Sequence, residues 1–186
     1  NDRVRKFKRL EYTSWRLSPL PMFARKLNPG LELRPLQPAD APALFAVVDA
    51  HRASLREWLP WVDATKTAAD SKAYIEGTVR DDQESRAFTC GIWSMGRLVG
   101  VIGHNRIDWA QRYGFPAYWI APTAEGRGIM TQCCRAVIDN AFGELQLSRL
   151  FVAVATDNLR AQKIPEKLGF KKVSTLKKAE WLYDHH

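Results

Sequence analysis

The most informative run in this chain is Ala117-Tyr118-Trp119-Ile120-Ala121-Pro122-Thr123-Ala124-Glu125-Gly126-Arg127-Gly128-Ile129-Met130-Thr131. Its first four residues predict a strand, because aromatic and branched side chains suit a pleated surface, and Pro122 ends that strand. Apolar residues then recur with helical spacing from Ile129 to Ala141, which predicts a helix. A strand, a Gly-x-Gly turn and a helix predict an anion site, since the first helical amides have no internal partner and glycines let a phosphate approach.

The turn does not match the two best-known nucleotide motifs. No Gly-Lys-Ser/Thr follows Gly128, so it is not a P-loop. A dinucleotide-binding fingerprint would need a third glycine and an acidic residue at the end of the next strand. Arg127 lies between the two glycines and adds a cation. We therefore expect a phosphate-bearing ligand of another class.

The rest of the chain predicts an α/β fold, more closely an α+β arrangement with a mixed sheet flanked by helices. Upstream of the turn, alternation and turn residues predict strands at 31–34, 87–94 and 97–103, helices at 42–50, 54–59 and 67–79, and a polar loop at 107–115. Downstream, they predict a doubly buried strand at 150–154, a helix at 158–168, and strands at 170–175 and 181–183.

Composition excludes several classes of protein. The chain has 186 residues, of which 46% are apolar and 26% charged, as in a single globular domain. No run reaches the ~18 apolar residues of a membrane-spanning helix, so we expect no membrane partner. Cys90, Cys133 and Cys134 lack metal-ligand spacing, so we expect no metal site and reduced thiols in the cytoplasm.

The positive charge is concentrated at the start of the chain. Residues 1–30 hold eight Lys/Arg and two acidic residues, so they carry +6 of the net charge of +8. We divide the chain into a basic arm at 1–28 and a globular domain at 29–186. A solvated extension is a better interpretation than a nucleic-acid-binding arm, because no groove-reading motif accompanies the charge.

Within the arm, residues 9–17 alternate like a strand. They would complete the sheet within the chain or by exchange with a second copy, which would make a homodimer. An extension that packs elsewhere is the alternative.

Several motifs stand in an order and spacing that resemble the Gcn5-related N-acetyltransferase (GNAT) family. They are Tyr118-Trp119-Ile120-Ala121-Pro122, Gly126-Arg127-Gly128-Ile129-Met130-Thr131, Asp157-Asn158 and Glu166-Lys167-Leu168-Gly169-Phe170. Three others resemble its RimJ/RimL-like branch, which acetylates protein N-terminal amines: Leu33-Arg34-Pro35-Leu36, Leu55-Arg56-Glu57-Trp58-Leu59-Pro60-Trp61 and Ala179-Glu180-Trp181-Leu182.

This resemblance implies a mixed sheet that splays between its two central strands, with acetyl-CoA as cosubstrate in the split. The pyrophosphate would bind the backbone at Glu125, Gly126, Arg127, Gly128, Ile129, Met130 and Thr131. The pantetheine would lie along Trp119, Ile120 and Ala121. Asn158, Arg160 and Lys163 would contact the pantetheine or the phosphates, although Asn158 is equally a good helix cap.

The chain departs from the family pattern at four places. Glu125 stands where Gln or Arg is preferred, and a carboxylate there would repel phosphate. Met130 stands where the family often has Gly or Ala. Ala161 replaces a serine that is a proposed proton donor to departing CoA. Phe115-Pro116-Ala117 replaces a segment that often begins with Glu, so a base is missing there.

The function that follows is transfer of acetyl to a primary amine, with the α-amine of a protein N-terminus, as in ribosomal proteins, as the expected acceptor. An α-amine has a pKa near 7.7–8.0, so roughly one in ten is neutral at pH 7, whereas lysine is far less so. The alternatives are an acetyltransferase for small amines or antibiotics, and a non-catalytic acetyl-CoA-binding module. His104, Asp108 and Glu57 are the candidate bases, against structural roles as a core histidine, a turn residue and a solvated side chain.

Overall fold

The computed structural model describes residues 23–183, so the segment 9–17 predicted as a strand lies outside the described residues. One six-stranded sheet is formed by β1 (Arg25–Asn28), β2 (Leu31–Pro35), β3 (Phe88–Ser94), β4 (Arg97–Asp108), β5 (Tyr113–Ile120) and β6 (Arg149–Leu150). The helices are α1 (Ala41–Ala50), α2 (Arg52–Arg56), α3 (Ala68–Gln83), α4 (Ile129–Gly143) and α5 (Leu159–Lys167). Neighbours from β1 to β5 are antiparallel, and β6 is parallel to β5. None of the helices within 23–183 is long and apolar enough to cross a bilayer.

Each face of the sheet is covered by a different layer of helices. On one face, buried residues of α4, such as Cys133 and Val137, pack against Ile102 of β4. On the other face, Leu44 of α1 and Ile75 of α3 pack against Val101. Ile102 and Val101 are neighbours whose side chains point to opposite faces, as strand geometry requires. The mixed sheet flanked by helices confirms the predicted fold class.

The elements before the glycine turn largely match the sequence prediction. The strand at 31–34 and the helix at 42–50 are present as β2 and α1. Thr67 caps α3 at the start of the predicted helix: its hydroxyl accepts from the Asp70 amide at 3.3 Å, and the Asp70 carboxylate accepts from the Thr67 amide at 2.8 Å. The bonds to Asp70 lower the pKa of its carboxyl group. The helix predicted at 54–59 is shorter, since α2 ends at Arg56.

The polar loop predicted at 107–115 is wrong. β4 continues to Asp108 and β5 begins at Tyr113, so a hairpin replaces most of that loop. A bulge between His104 and Arg106 shifts the register without ending the ladder. The turn is closed by the Asp108 carboxylate, which accepts from the Gln111 amide at 3.0 Å. A bulge breaks the simple alternation on which the sequence prediction rested.

The strand predicted at 150–154 is also mostly absent. The parallel ladder joins Tyr113 to Arg149 and Gly114 to Leu150, and then ends. The chemical reason is Pro116: the next donor from this edge of β5 would be the backbone nitrogen of residue 116, and proline has no N–H. Beyond this point β5 runs on to Ile120 without a ladder to residues 151–155. The ladder between β5 and β6 is therefore open beyond Gly114. Within residues 23–183 these are the last two of six strands, whereas the family resemblance implied a split between two central strands.

The last predicted strands are not formed within the described residues. Residues 171–180 are exposed and carry no strand, and Leu182 makes only an isolated bridge. α5 ends as predicted, with Gly169 in the left-handed region at φ +84°, where glycine closes a helix without strain.

Candidate functional site

The glycine turn leaves open space at the start of α4. Gly126 and Gly128 both have positive φ, at +74° and +72°, and a Cβ added to either would meet no protein atom of the described structure within 4 Å. Gly128 is the N-cap residue and provides no side-chain cap. The first amides of α4 therefore have no intrahelical partner, and the two glycines beside them leave open space within the described residues. We refer to this open turn as the glycine cradle.

The side chains at the first two positions of α4 do not contribute to this cradle. Ile129 and Met130 are buried in the core on the α4 face. Only their backbone amides are available to a ligand. Met130, where the family often has Gly or Ala, therefore affects the packing of the core. Its large side chain points into the core and away from the glycine turn.

Glu125 is paired across the mouth of the cleft. Its carboxylate accepts a hydrogen bond from the guanidinium of Arg160 in α5. Arg160 is largely exposed, whereas the Glu125 side chain is only 25% exposed. The positive charge of Arg160 offsets the negative charge of Glu125 beside the glycine cradle. Lys163, one turn further along α5, and Arg127 in the turn are both exposed.

The backbone of β5 presents different residues at its two edges. The Ala121 amide donates to Val99 O of β4 at 2.7 Å, and the Phe151 amide donates to Gly114 O at 2.9 Å. Because backbone polar groups alternate between the edges of a strand, Tyr118 and Ile120 face the split, while Trp119 and Ala121 face β4. Of the three residues expected along the pantetheine, only Ile120 offers its amide to the cleft.

The far wall of the cleft is the start of α5. The Asn158 side chain accepts from the Ala161 amide at 2.9 Å and caps this helix. The Tyr118 hydroxyl donates to the Ala161 carbonyl oxygen at 3.4 Å. Burial raises the pKa of Tyr118, so its hydroxyl keeps its proton at neutral pH. A hydroxyl therefore lies beside Ala161, whose own side chain has none.

The cleft between β5 and α5 is narrow and apolar. Its lining includes Tyr118, Cys134, Val152 and Ile164. Cys134 is nearly buried, and burial raises the pKa of its thiol. Cys134 is therefore a protonated wall residue at neutral pH.

The opposite face of β5 carries a small side chain between two large ones. Phe115, Ala117 and Trp119 share this face, since strand side chains alternate. Trp119 packs near Trp61, with ring centroids 5.8 Å apart. Phe115 stacks on Phe151, also at 5.8 Å. Between these two aromatic pairs lies Ala117, whose side chain is a single methyl group and is partly exposed. We call the surface at Ala117, between Phe115 and Trp119, the slot.

The three candidate bases are not brought together. His104 has no exposed surface and packs edge-on against Phe88 at 5.0 Å. Burial lowers the pKa of His104 to about 4, and neither ring nitrogen has a hydrogen-bond partner within residues 23–183. Asp108 closes the β4–β5 turn. Glu57 is exposed at the end of α2. The geometry favours the structural interpretation of His104 and Asp108, and none of the three is placed with Tyr118 at the cleft.

Sequence reasoning missed two features of the site. No local signal relates Tyr118 to Ala161, which is 43 positions away. Phe115 and Phe151 were not connected at all. Starting the strand at Tyr113 instead of Ala117 would have put Phe115 and Trp119 on one face, so that signal was present.

Comparison with known proteins identifies relatives along most of the chain. Residues 30–171 match the family model described as an acetyltransferase (GNAT) domain. YdaF of Bacillus subtilis (strain 168), which carries the name of a ribosomal N-acetyltransferase, is 32% identical over 151 residues, covering 80% of this chain and 82% of YdaF. The ribosomal-protein-serine acetyltransferase of Escherichia coli (strain K12) is 26% identical over 159 residues, covering 86% of this chain and 89% of that protein.

The fold is similar to that of a solved relative. RimL, a ribosomal L7/L12 α-N-protein acetyltransferase in complex with coenzyme A, superposes with a TM-score of 0.85 at 22% identity. The match covers 88% of this chain and 93% of RimL. At this level of identity, the likeness shows the shared fold.

Proposed function

This chain belongs to the acetyltransferase (GNAT) domain family and is an N-acetyltransferase that uses acetyl-CoA, and we propose that its acceptor is the α-amine of a protein N-terminus, of the ribosomal-protein type. One observation carries the proposal: within residues 23–183, the edge of β5 is unpaired beyond Gly114 and leads to the glycine cradle. The relatives named as ribosomal-protein acetyltransferases support the acceptor class.

The residues of the cleft fit acetyl-CoA. Gly126 and Gly128 leave room for a pyrophosphate against the first amides of α4, where the helix dipole favours negative charge. The amide of Ile120 and the polar groups of Tyr118 suit the amide groups of a pantetheine arm. The exposed cations Arg127, Arg160 and Lys163 suit the remaining phosphates.

The bound cosubstrate supplies a thioester, from which the acetyl group passes to the amine while the sulfur leaves as a thiolate. The Ile120 amide is the candidate donor to the thioester oxygen, because the Ala121 amide is already bonded to Val99. Such a donor stabilises charge that develops on the oxygen. We assign the proton that the leaving sulfur needs to the Tyr118 hydroxyl, which is protonated and lines the cleft.

Within residues 23–183, none of the three candidate bases is placed with Tyr118 at the cleft, and this favours an acceptor that deprotonates readily. Phe115 occupies the position where the family often has Glu, and His104 is fully buried. An α-amine reaches its neutral form by losing a proton to water near pH 7.7–8.0, whereas a lysine does so near 10.4. Positioning of a neutral amine then supplies much of the rate.

The experiment that tests this function uses three peptides of one sequence: one with a free N-terminus, one N-terminally blocked with an internal lysine, and one with both amines blocked. The release of the CoA thiol is measured and corrected for hydrolysis of acetyl-CoA. The acetylated products are identified by mass spectrometry. We expect acetylation of the first peptide alone. Acetylation of the blocked lysine peptide, or of small amines only, would favour the small-amine alternative. Acetyl-CoA binding without acetylation of any amine would favour the non-catalytic module.

The Tyr118 assignment has its own test. Tyr118→Phe keeps the ring and removes the proton, so we expect kcat to fall about 100-fold, in the range of general acid catalysis. The KM for acetyl-CoA should change little. Ala161→Ser in the Tyr118→Phe background should restore part of kcat, because it returns a hydroxyl to the same wall. An unchanged kcat in Tyr118→Phe would remove the residue from the mechanism.

We also propose that the basic arm completes the sheet and that the protein is cytoplasmic. Within residues 23–183, β6 has two residues and no strand beyond it, which supports completion of the sheet by another segment, such as residues 9–17 of the same chain or of a second copy. Deletion of residues 1–21 should then lower solubility or change the oligomeric state, and a soluble, active monomer would refute the role of the arm in the sheet.

Three free, buried cysteines are compatible with a cytoplasmic protein.

A further inference from the structure

An aromatic cluster lies next to the slot, formed by Tyr113 and Phe115 of β5 and by Phe151 just after β6. The Phe151 ring centroid is 5.3 Å from that of Tyr113 and 5.8 Å from that of Phe115. These side chains are half-buried. Leu150, the preceding residue, packs into the core on the α4 side, which places Phe151 on the slot side of the sheet.

Two arginines lie over this aromatic cluster. The guanidinium carbon of Arg106 is 4.4 Å from the Phe115 ring centroid, and that of Arg149 is 5.7 Å from the Tyr113 centroid. Both residues are exposed, and neither forms an ion pair with any other residue in the range 23–183. Rings below the guanidinium groups hold them in place by cation–π contact while leaving their N–H groups free.

The carboxylate opposite this cluster in the sheet register forms no ion pair with either arginine within residues 23–183. Asp108 lies opposite Tyr113 in the β4–β5 register. Its oxygen accepts the Gln111 amide in the turn. The cluster therefore offers positively charged donors that form no ion pair within the described part of the chain.

The distance along β5 relates the cluster to the reacting amine. Phe115 is two residues from Ala117, about 7 Å along a strand. A peptide whose α-amine lies at Ala117 and whose chain runs extended toward Phe115 would bring its second or third side chain to Arg106. Arg149 lies further along the same line, over Tyr113.

We propose that Arg106 and Arg149 bind a carboxylate of the acceptor, so that the enzyme prefers protein N-termini with Asp or Glu within the first four residues. This rests on the proposed acetylation of protein N-termini and specifies the substrate class. Guanidinium–carboxylate pairs are strong and directional. The same two charges repel a second ammonium group, which disfavours polyamines and lysine-rich N-termini.

The test compares two peptides that differ only in charge, Ser-Asp-Glu-Ala-Leu-Tyr and Ser-Asn-Gln-Ala-Leu-Tyr, by the ratio of their kcat/KM values. We expect a ratio of about ten in favour of the acidic peptide, about threefold lower in Arg106→Gln and in Arg149→Gln, and near one in the double variant, as for partly exposed ion pairs. Arg97→Gln is the matched control. Arg97 is also exposed, but it lies at the β3–β4 turn, so its loss should leave the ratio and the activity unchanged.

Charge reversal sharpens the comparison. Arg106→Glu should shift the preference toward Ser-Lys-Lys-Ala-Leu-Tyr, and added salt should lower the wild-type ratio. Circular dichroism melting of each variant identifies any that fail to fold, and Arg106→Lys then supplies a folded variant that retains the charge and should retain part of the ratio.

The outcomes separate the two proposals. If the wild type acetylates neither peptide, the proposed function fails. If it acetylates both with equal kcat/KM, or if Arg97→Gln lowers the ratio as much as Arg106→Gln does, the acceptor-carboxylate proposal is overturned while N-terminal acetylation stands.

Discussion

The two edges of β5 differ although they belong to one strand of eight residues. Toward β4, the strand is paired from Tyr113 to Ile120 along almost its whole length. Toward β6, pairing stops at Gly114. Pro116 accounts for this difference. Its nitrogen faces the β6 edge and carries no hydrogen, so a donor is missing there. The hydrogen bonds to β4 are unaffected, because this nitrogen does not face β4.

The comparison shows how an enzyme of this kind keeps backbone groups free for a ligand. Unpaired N–H and C=O groups on a strand edge are ordinarily a liability, because another strand can pair with them. Here the amide of Ile120 is protected from such pairing by the apolar cleft and by the start of α5. The same groups are then available to a pantetheine arm.

The largest expected effect on acetyl-CoA affinity comes from the glycine turn, which follows the open edge of β5. Gly128→Val should weaken acetyl-CoA binding at least about 100-fold, because it blocks two or more hydrogen bonds from backbone amides to a charged group, each worth about 1.5–3 kcal/mol. Isothermal calorimetry measures the affinity. Gly96→Val is the matched control: Gly96 has φ +75° and equally open space, but lies in the β3–β4 turn. It should lose similar stability and bind acetyl-CoA normally. Equal binding by both variants would refute the cradle.

The second effect concerns the residue below the point where pairing stops. His104 lies opposite Pro116 and is buried as the neutral imidazole, with a pKa lowered to about 4. The unfolded chain then binds more protons, so stability should fall as pH drops from about 6.5 to about 4 and level off below that. The loss should be about 3 kcal/mol. Urea unfolding at pH 7, 6 and 5 should show this slope in the wild type and lose it in His104→Leu. Parallel slopes for the two proteins would contradict the buried neutral state.

A smaller effect should follow from closing the open edge. Pro116→Val supplies the missing donor, so the β5–β6 ladder should extend by one or two bonds of about 1 kcal/mol each. Acetyl-CoA must break them, and its affinity should fall about tenfold. Ala117→Val adds the same side chain without a donor at this edge, and acetyl-CoA affinity should be unchanged. Hydrogen exchange of residues 151–154 gives an independent measurement. If Pro116→Val shows neither slower exchange nor weaker binding, then proline is not the cause of the split.

The smallest effect is at the ion pair across the mouth of the cleft. Glu125→Gln should tighten acetyl-CoA binding by up to about 1 kcal/mol, because it removes a negative charge near the phosphates and releases Arg160. Arg160→Gln should weaken binding. Affinity measured at low and high salt separates the charge effect from any change in packing. Weaker binding in Glu125→Gln would mean that the pair serves to hold α5 against the glycine turn.

Some of this site was already determined by local sequence. The glycine turn and the start of α4, the capping of α3 by Thr67 and the cap of α5 by Asn158 depend on residues within about four positions of one another. Short-range hydrogen bonds and backbone preferences decide such features, and the same preferences act in any context. The glycine turn and the helix that follows it could therefore be predicted from the sequence.

The other half of the site depends on register between distant segments, which only the tertiary structure decided. A bulge between His104 and Arg106 sets which β4 residues face the slot, and Pro116 acts only because Leu150 and Phe151 lie beside it. Glu125 and Arg160 are 35 positions apart. Such pairings follow from how the layers pack, because burial of the two core faces selects one register among several that local sequence allows. Local sequence determined the cradle, and packing determined the cleft, the slot and the charges around them.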